Sequence, residues 1–162
     1  MKIAHFVQGY TPAIGGTEYL IQRVSEELVK VYGDEVTVYT TNAFNCEAFN
    51  NPKASLMAAK EEVINGVYVK RFKVFNKLAF VLNQLQKTAF AFRLPRNDLL
   101  RTVYSGPILP SIFKELPKVK ADVIAASSFP LLHMHYASIA SRLTKTPLVL
   151  HGGLHPTDTW GF

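Results

Sequence analysis

The sequence predicts an α/β fold, a three-layer domain with a mainly parallel sheet, and three observations point to it. Short runs of apolar or β-branched residues alternate with segments of helical period along the whole chain. The first 41 residues contain a strand, a loop, a helix and a second strand, which is the order of a right-handed βαβ unit. The chain of 162 residues is 48% hydrophobic and 19% charged, so residues 1–162 are expected to form one domain around a real core.

The N-terminal unit begins with residues 3–7, an apolar run that predicts a buried strand, followed by a loop at 9–16 that is rich in glycine and proline. A helix comes next and ends near Gly33, because apolar residues recur in it at helical spacing. These apolar positions are Leu20, Ile21, Val24, Leu28 and Val31. The β-branched and aromatic run 35–41 predicts the second strand.

The middle of the chain carries a hairpin signal and a long helical segment. Residues 42–60 predict a loop with one helical turn, and Asn65-Gly66 within 62–75 predicts a hairpin that supplies the third strand of the sheet. A helix is predicted over 77–93, where Leu94-Pro95 stops it. The helix face expected to pack on the sheet consists of Leu78, Val81, Leu82, Leu85, Ala89 and Phe92.

The last third of the chain again alternates helices and strands. A second helical segment ends near Gly106, and residues 107–116 predict a short helix. The remaining elements are a fourth strand at 122–126, a helix at 131–143 and a fifth strand at 148–151. Because the sequence stops a few residues past the fifth strand, we expect it to be the first part of a longer protein.

The composition limits the classes of protein that the chain can represent. A single cysteine, Cys46, excludes an intrachain disulfide framework and a cysteine-rich metal site, and it fits a cytoplasmic setting. No signal peptide and no run of about 18 apolar residues is visible, so any membrane contact is expected at the surface. The net charge of +6 is concentrated between Lys70 and Lys120, a segment that contains eleven basic residues and two acidic ones. This segment suits an anionic partner.

The loop after the first strand contains Gly15 and Gly16 at the predicted start of a helix. Two glycines there leave backbone N–H groups uncovered, and the helix dipole favours an anion such as a diphosphate. A tight turn is the alternative interpretation, and the spacing alone does not choose between them. The dinucleotide pattern G-x-G-x-x-G and the Walker pattern are absent, and no acidic residue ends the second strand. A dehydrogenase and a P-loop nucleoside triphosphatase are therefore disfavoured.

Four stretches together resemble family 4 of the glycosyltransferases, which are retaining enzymes of the GT-B fold. The first loop, Thr11-Pro12 with Gly15-Gly16-Thr17-Glu18, resembles that family's P-x-x-G-G-x-E. The others are Asn65-Gly66-Val67-x-Val69-x-Arg71, Ala121-Asp122-Val123-Ile124, and Pro147-Leu148-Val149-Leu150-His151-Gly152. The resemblance implies that the chain is the N-terminal, Rossmann-like, acceptor-side domain of such an enzyme. It also implies that a C-terminal domain with a Glu-x7-Glu signature, absent from this sequence, binds most of the nucleotide-sugar donor.

The resemblance further implies the function and the site residues. Sugar is transferred from a nucleotide-diphosphate sugar to a glycan or lipid-linked acceptor, with no metal and no cofactor apart from the donor substrate. Gly15 and Gly16 face the donor diphosphate, and His151 lies near the donor sugar as the catalytic-site histidine. Thr11, Ser127 and Ser128 belong to the acceptor side, and one of the two serines stands where many members have a histidine. Without the donor-binding domain, the chain alone is expected to be inactive.

The other histidines are interpreted as structural. His133 and His135 are two residues apart, so on a helix they point about 200° apart and form a poor metal pair. His5 lies in a central predicted strand and is expected to be a hydrogen-bonded core residue. His155 follows His151 in the same loop and is expected to be solvated.

The predicted helix 77–93 carries aromatic residues outside its apolar face, beside basic residues. Phe80, Phe90, Arg93, Arg96 and Arg101 predict a patch for an anionic membrane surface, with the protein held at the inner face of the membrane. Packing of Phe80 and Phe90 against neighbouring loops is the alternative.

Two other functions remain in competition with the acceptor half of an enzyme. One is a non-catalytic GT-B half that stands alone and recruits a separate donor-binding chain to a membrane. The other is a GT-B enzyme of different chemistry, such as a nucleotide-sugar epimerase, because the fold does not fix the reaction. No helix-turn-helix, ribonucleoprotein or zinc pattern supports nucleic-acid binding.

Overall fold

The computed structural model describes residues 1–128 and 131–152. Within these ranges, six strands form one sheet: β1 (Lys2–Phe6), β2 (Glu35–Thr41), β3 (Glu61–Ile64), β4 (Val67–Phe72), β5 (Val123–Ser127) and β6 (Leu148–His151). Their order across the sheet is β3-β4-β2-β1-β5-β6, and every neighbouring pair is parallel except β3 and β4. The predicted α/β class and the mainly parallel sheet are confirmed.

Four α-helices lie in the described ranges: α1 (Gly16–Tyr32), α2 (Ala79–Ala91), α3 (Asn97–Ser105) and α4 (Leu132–Thr144). Three short 3-10 segments, Cys46–Phe49, Pro110–Lys114 and Leu116–Lys118, complete the architecture. The first is the helical turn expected in the loop after β2. The other two replace the single short helix predicted at 107–116, because Pro110 and Pro117 each begin a new tight turn.

The hairpin predicted at Asn65-Gly66 is present and adds a sixth strand to the expected five. Both turn residues have left-handed backbone angles, with φ of 50° and 84°, and Ile64 pairs with Val67 across them. This is the conformation that a two-residue turn requires between twisted antiparallel strands, and the Asn-Gly pair adopts it readily. The hairpin places β4, its second strand, parallel to β2.

The sheet separates two apolar cores, which gives the three layers. Side chains alternate along β1, so Ile3 and Val7 face one core while Phe6 faces the other. Helix α1 covers the first core through Ile21 and Leu28. The second core lies beneath α4 and contains a stack of Phe6 on Tyr39, with ring centroids 4.7 Å apart.

The buried face of α1 differs from the predicted one. Leu20, Val24 and Val31 are exposed, and Ser25 lies fully buried at the centre of the contact with the sheet. His5 Nδ1 and Ser25 Oγ lie 2.7 Å apart and share a hydrogen bond. The prediction that His5 is a hydrogen-bonded core residue is confirmed. The same bond explains why a serine, and not an apolar residue, occupies the middle of the helix face.

The prediction that α2 packs its apolar face on the sheet is wrong. Helix α2 packs against α3, burying only Ala79 and Ala89 among its own residues, and Leu78, Val81, Leu85 and Phe92 are exposed. The space over the sheet is filled by four buried side chains that come later in the chain: Leu109, Ile112, Leu116 and Val119. Because these residues and α4 already cover this face, α2 is held away from it and its apolar surface meets solvent.

Candidate functional site

The residues that the sequence assigns to the site meet at the carboxyl ends of β1, β5 and β6. In the sheet register Phe6 lies beside Ala126, and Ser127 lies beside His151. Ligands of open parallel sheets bind at this edge, where the loops that follow adjacent strands diverge. The glycine loop after β1 and the connection after β5 both start here, so the topology brings the predicted residues to one place.

Ser128 links three of these elements through its hydroxyl and its backbone. Its hydroxyl donates a hydrogen bond of 2.9 Å to Thr17 Oγ1 in the first turn of α1, and its backbone N–H donates one of 3.2 Å to the His151 carbonyl. Ser128 has a φ of 73°, a left-handed conformation that is costly for a residue other than glycine. The conformation is therefore imposed by these contacts. Thr17 was not singled out from the sequence, and no local pattern marks it.

The two serines after β5 have different surroundings. Ser127 is buried, and its hydroxyl has no hydrogen-bond partner among the described residues. Ser128 is only partly buried, and its hydroxyl reaches the start of α1. Of the two, only Ser128 is accessible to solvent.

Gly15 and Gly16 differ in the space that surrounds them. A Cβ added to Gly15 would lie 2.1 Å from the Glu18 carboxylate oxygen Oε2, whereas a Cβ added to Gly16 would meet nothing within 4 Å. Glycine at position 15 therefore makes room for the Glu18 side chain. Gly16, the first residue of α1, leaves open space beside the helix terminus. An anion that binds at this helix terminus, as the sequence predicts, would therefore approach it beside Gly16.

The Glu18 carboxyl group is folded back against this loop. The residue is buried in the first turn of α1, and its side chain also contacts the position of Gly9, where an added Cβ would lie 2.9 Å from Glu18 Cγ. A negative charge in the first turn of a helix is favoured by the helix dipole. Glu18 thus fills the space beside Gly9 and Gly15, and the space beside Gly16 is open.

Arg71 holds the glycine loop from beneath. Its side chain is buried on β4, its Nε donates to Glu62 Oε1 at 2.7 Å, and its Nη1 donates to the Tyr10 carbonyl at 3.2 Å. Its Nη2 donates to the Thr11 carbonyl. Hydrogen bonds from Lys60, which has the larger effect, and from Arg71 hold the pKa of the Glu62 carboxyl below its ordinary value. The predicted acceptor-side residue Thr11 is therefore fixed through its backbone by a buried guanidinium.

His133 lies under the same edge, at the start of α4. Its Nε2 donates a hydrogen bond to the Ser127 carbonyl, which leaves Nδ1 as the basic nitrogen, without a partner among the described residues. Burial lowers the pKa of His133 to about 4, so the ring is neutral near pH 7. His135 is exposed. The expectation that the two histidines diverge is confirmed, and the described residues contain no cluster of three potential metal ligands.

His151 is exposed at the end of β6, beside Ser127 in the register. Its carbonyl accepts the bond from Ser128, and this contact fixes the backbone next to the imidazole. His155 lies outside the described residues.

The predicted membrane residues lie on the α2–α3 pair and in the turn between these helices. Phe80 is 73% exposed and Phe90 is 65% exposed, so neither packs against a loop as the alternative required. Arg93 and Arg96 are exposed in the turn between the helices, and Arg101 is partly exposed on α3. In the described ranges no helix is both long and apolar enough to span a bilayer.

Comparison with known proteins supplies no family. No family model matches the chain, and no curated protein matches it.

Proposed function

We propose that the chain is the acceptor-binding half of a retaining glycosyltransferase that uses a nucleotide-diphosphate sugar and glycosylates a glycan or a lipid-linked acceptor. The observation that carries the proposal is the hydrogen bond from Ser128 to Thr17. It joins the residue that follows β5 to Thr17 at the start of α1, which lies within the first motif of the resemblance. A donor diphosphate would be bound where α1 begins, at the open side of Gly16.

The other residues take roles that follow from their surroundings. The exposed His151 orients the donor sugar from the end of β6, and Ser128 and Thr11 form the acceptor side. Ser127, being buried, and His133, which bonds to its carbonyl, position the backbone beneath Ser128. Most of the donor contacts would come from a second domain with the Glu-x7-Glu signature, so the 162-residue chain by itself is proposed to be inactive.

The test is a transferase assay on the complete gene product. The protein is incubated with a panel of labelled nucleotide-diphosphate sugars and with glycan and lipid acceptors, and the anomeric configuration of the product is read by NMR. The proposal predicts transfer with retention, and strong loss of transfer in His151→Ala but not in His135→Ala, an exposed histidine on α4. Inversion, epimerisation of the donor, or equal activity in both variants would contradict it.

A second candidate function, a membrane-recruiting half without catalytic activity, is favoured by the surface of α2 and its flanks. The surface of α2 and its flanks exposes Phe80, Phe90 and Phe92 and half-exposes Leu78 and Val81, and the exposed Arg93 and Arg96 follow in the chain. Monomeric proteins rarely leave such a surface uncovered, and aromatic residues next to basic ones are typical of contact with an anionic bilayer. The protein would then be cytoplasmic and peripheral at the inner face of the membrane.

Vesicle sedimentation tests this surface. We expect binding to vesicles that contain anionic lipid and none to neutral vesicles. Phe80→Ser with Phe90→Ser should weaken binding at both low and high salt, since apolar burial is not screened. Arg93→Gln with Arg96→Gln should weaken it mainly at low salt. Equal and negligible binding to both kinds of vesicle would contradict the membrane contact and leave the surface as a site for protein.

A further inference from the structure

A cavity of about 480 Å³ lies at the carboxyl end of β4, apart from the glycine loop. Three segments line it: the loop after the first 3-10 turn, the stretch that follows β4, and the start of the second 3-10 turn. The lining residues are Pro52, Leu56, Lys73, Val74, Phe75, Asn76, Lys77, Pro110 and Ser111. Its volume is that of a small-molecule site, and its walls are mainly apolar with a few polar groups.

The stretch that carries both lysines is held in place by hydrogen bonds at successive residues. The Val74 N–H donates to Asn42 Oδ1 at 3.0 Å, and the Phe75 N–H donates to the Ile108 carbonyl at 2.9 Å. The Asn76 side-chain amide donates to the Ala48 carbonyl at 2.8 Å. Because hydrogen bonds to three other segments fix this backbone, the backbone that carries Lys73 and Lys77 loses little conformational freedom when a ligand binds.

The charge of the cavity is positive and not neutralised. No carboxylate lines it, and among the described residues neither Lys73 nor Lys77 has an ion pair. A second cavity, of about 310 Å³, provides the contrast. It is lined by Lys60 and Arg71, and Glu62 neutralises both at 2.7 Å. Of these two cavities, only the larger is lined by lysines that have no ion pair among the described residues.

We propose that the cavity at Lys73 and Lys77 binds the phosphate group of a small phosphate ester. Two ammonium groups supply charge-assisted hydrogen bonds to phosphate oxygens, and lysine binds phosphate well as a point charge. The Ser111 hydroxyl, also in the lining, is a further donor. The apolar walls, including Leu56 and Phe75, suit the organic body of the ester. This inference concerns binding, and it stands whether or not the chain takes part in sugar transfer.

The ester has two possible sources, a free metabolite or a lipid headgroup, and a matched pair of probes separates them. Glycerol 3-phosphate carries the phosphate alone, and dihexanoyl phosphatidic acid, used below its micelle concentration, adds two short acyl chains. Binding is followed by NMR on the ¹⁵N-labelled chain. We expect saturable shifts at the amides of 73–77 and at Ser111. Shifts with both probes indicate a soluble ester, and shifts with the lipid alone indicate a headgroup.

The two double variants each remove two positive charges, so they have the same net charge as each other. Lys73→Gln with Lys77→Gln removes the proposed ligands, and Lys30→Gln with Lys120→Gln removes two exposed lysines elsewhere. Because all four side chains are exposed, we expect both variants to fold, which circular dichroism checks. Loss of two charge-assisted bonds should weaken binding of the responding probe at least about tenfold, whereas the control pair should change it less than about twofold. Equal affinity in the two variants, or no saturable shift at 73–77 with either probe, would overturn the proposal.

Discussion

The Ser128 hydroxyl donates a hydrogen bond of 2.9 Å to the Thr17 hydroxyl oxygen, joining residues 111 positions apart in the sequence. The bond spans the point where the first helix begins and the fifth strand ends. It is formed by a serine whose φ of 73° is unfavourable for that residue. A contact that is maintained against backbone strain indicates a site whose geometry is set by the surrounding fold.

Substitutions at Ser128 separate the strain from the hydrogen bond. Ser128→Ala keeps the left-handed strain and loses the bond, so we expect a loss of about 1 kcal/mol in the free energy of unfolding. Ser128→Gly loses the same bond but relieves the strain, and it should be more stable than the alanine variant by about 1 kcal/mol. Urea unfolding of the two variants measures the difference. An alanine variant as stable as the glycine variant would show that the backbone is not strained in solution.

Substitutions in the glycine loop should distinguish its two glycines. Gly15→Ala forces the Glu18 carboxylate out of its buried position, and we expect a cost of about 1 kcal/mol in the free energy of unfolding. Gly16→Val meets open space and should leave the fold intact, but it covers the helix terminus. In the transferase that we propose, turnover should then fall on the order of 100-fold. Near-normal turnover in a folded Gly16→Val variant would show that this loop is only a tight turn and does not bind the diphosphate.

Removal of the Arg71 guanidinium should loosen the same loop from below. Arg71→Met leaves the Tyr10 and Thr11 carbonyls without their donor, and Glu62 keeps only its pairing with Lys60, so we expect a loss of about 3 kcal/mol in the free energy of unfolding. Hydrogen exchange of the amides of residues 9–16 should accelerate more than that of α4. Lys2→Met, which removes an exposed cation with a surface ion pair, is the control and should be nearly neutral. Unchanged exchange in the loop would contradict this role for Arg71.

The two buried histidines predict a pH dependence of stability. Burial lowers the pKa of His5 and of His133 to about 4, below the unfolded value near 6.5. Between these values the unfolded chain binds more protons, so the free energy of unfolding should fall as the pH drops from about 6.5 to about 4. His133→Gln keeps an N–H donor for the Ser127 carbonyl and should flatten this slope. A slope identical to that of the wild type would exclude His133 as a source of it.

The fold was largely predictable because its signals are local. The Asn65-Gly66 turn requires left-handed angles that these two residues adopt readily, so the hairpin follows from two adjacent positions. The packing of α2 was not predictable from its own apolar residues. Whether it covers the sheet depends on a competing segment, and that segment, Leu109 to Val119, forms 3-10 turns without a helical period. The buried face of α1 was missed at Ser25 because a polar residue at its centre interrupts the apolar pattern.

The sequence predicted where the candidate site residues lie, but not the hydrogen bonds that hold them in place. Ser127, Ser128 and His151 lie at the ends of β5 and β6, the loop of Gly15 and Gly16 follows β1, and parallel strands bring such ends to one edge. The bonds from Arg71 to the glycine loop and from Ser128 to Thr17 join residues 60 to 111 positions apart. Contacts at that separation depend on side-chain directions in the finished fold, which a single sequence does not encode in any local pattern.

The central claim is that the edge formed by α1, β5 and β6 binds the diphosphate of a nucleotide sugar. The most direct measurement is an NMR titration of the ¹⁵N-labelled chain with a nucleotide-diphosphate sugar, and with the corresponding nucleoside monophosphate as the control. The account predicts weak binding at millimolar concentration, with shifts at the amides of Gly16, Thr17, Ser128 and His151 that the monophosphate does not produce. Shifts confined to other parts of the chain, or no shifts at these four amides, would contradict the claim.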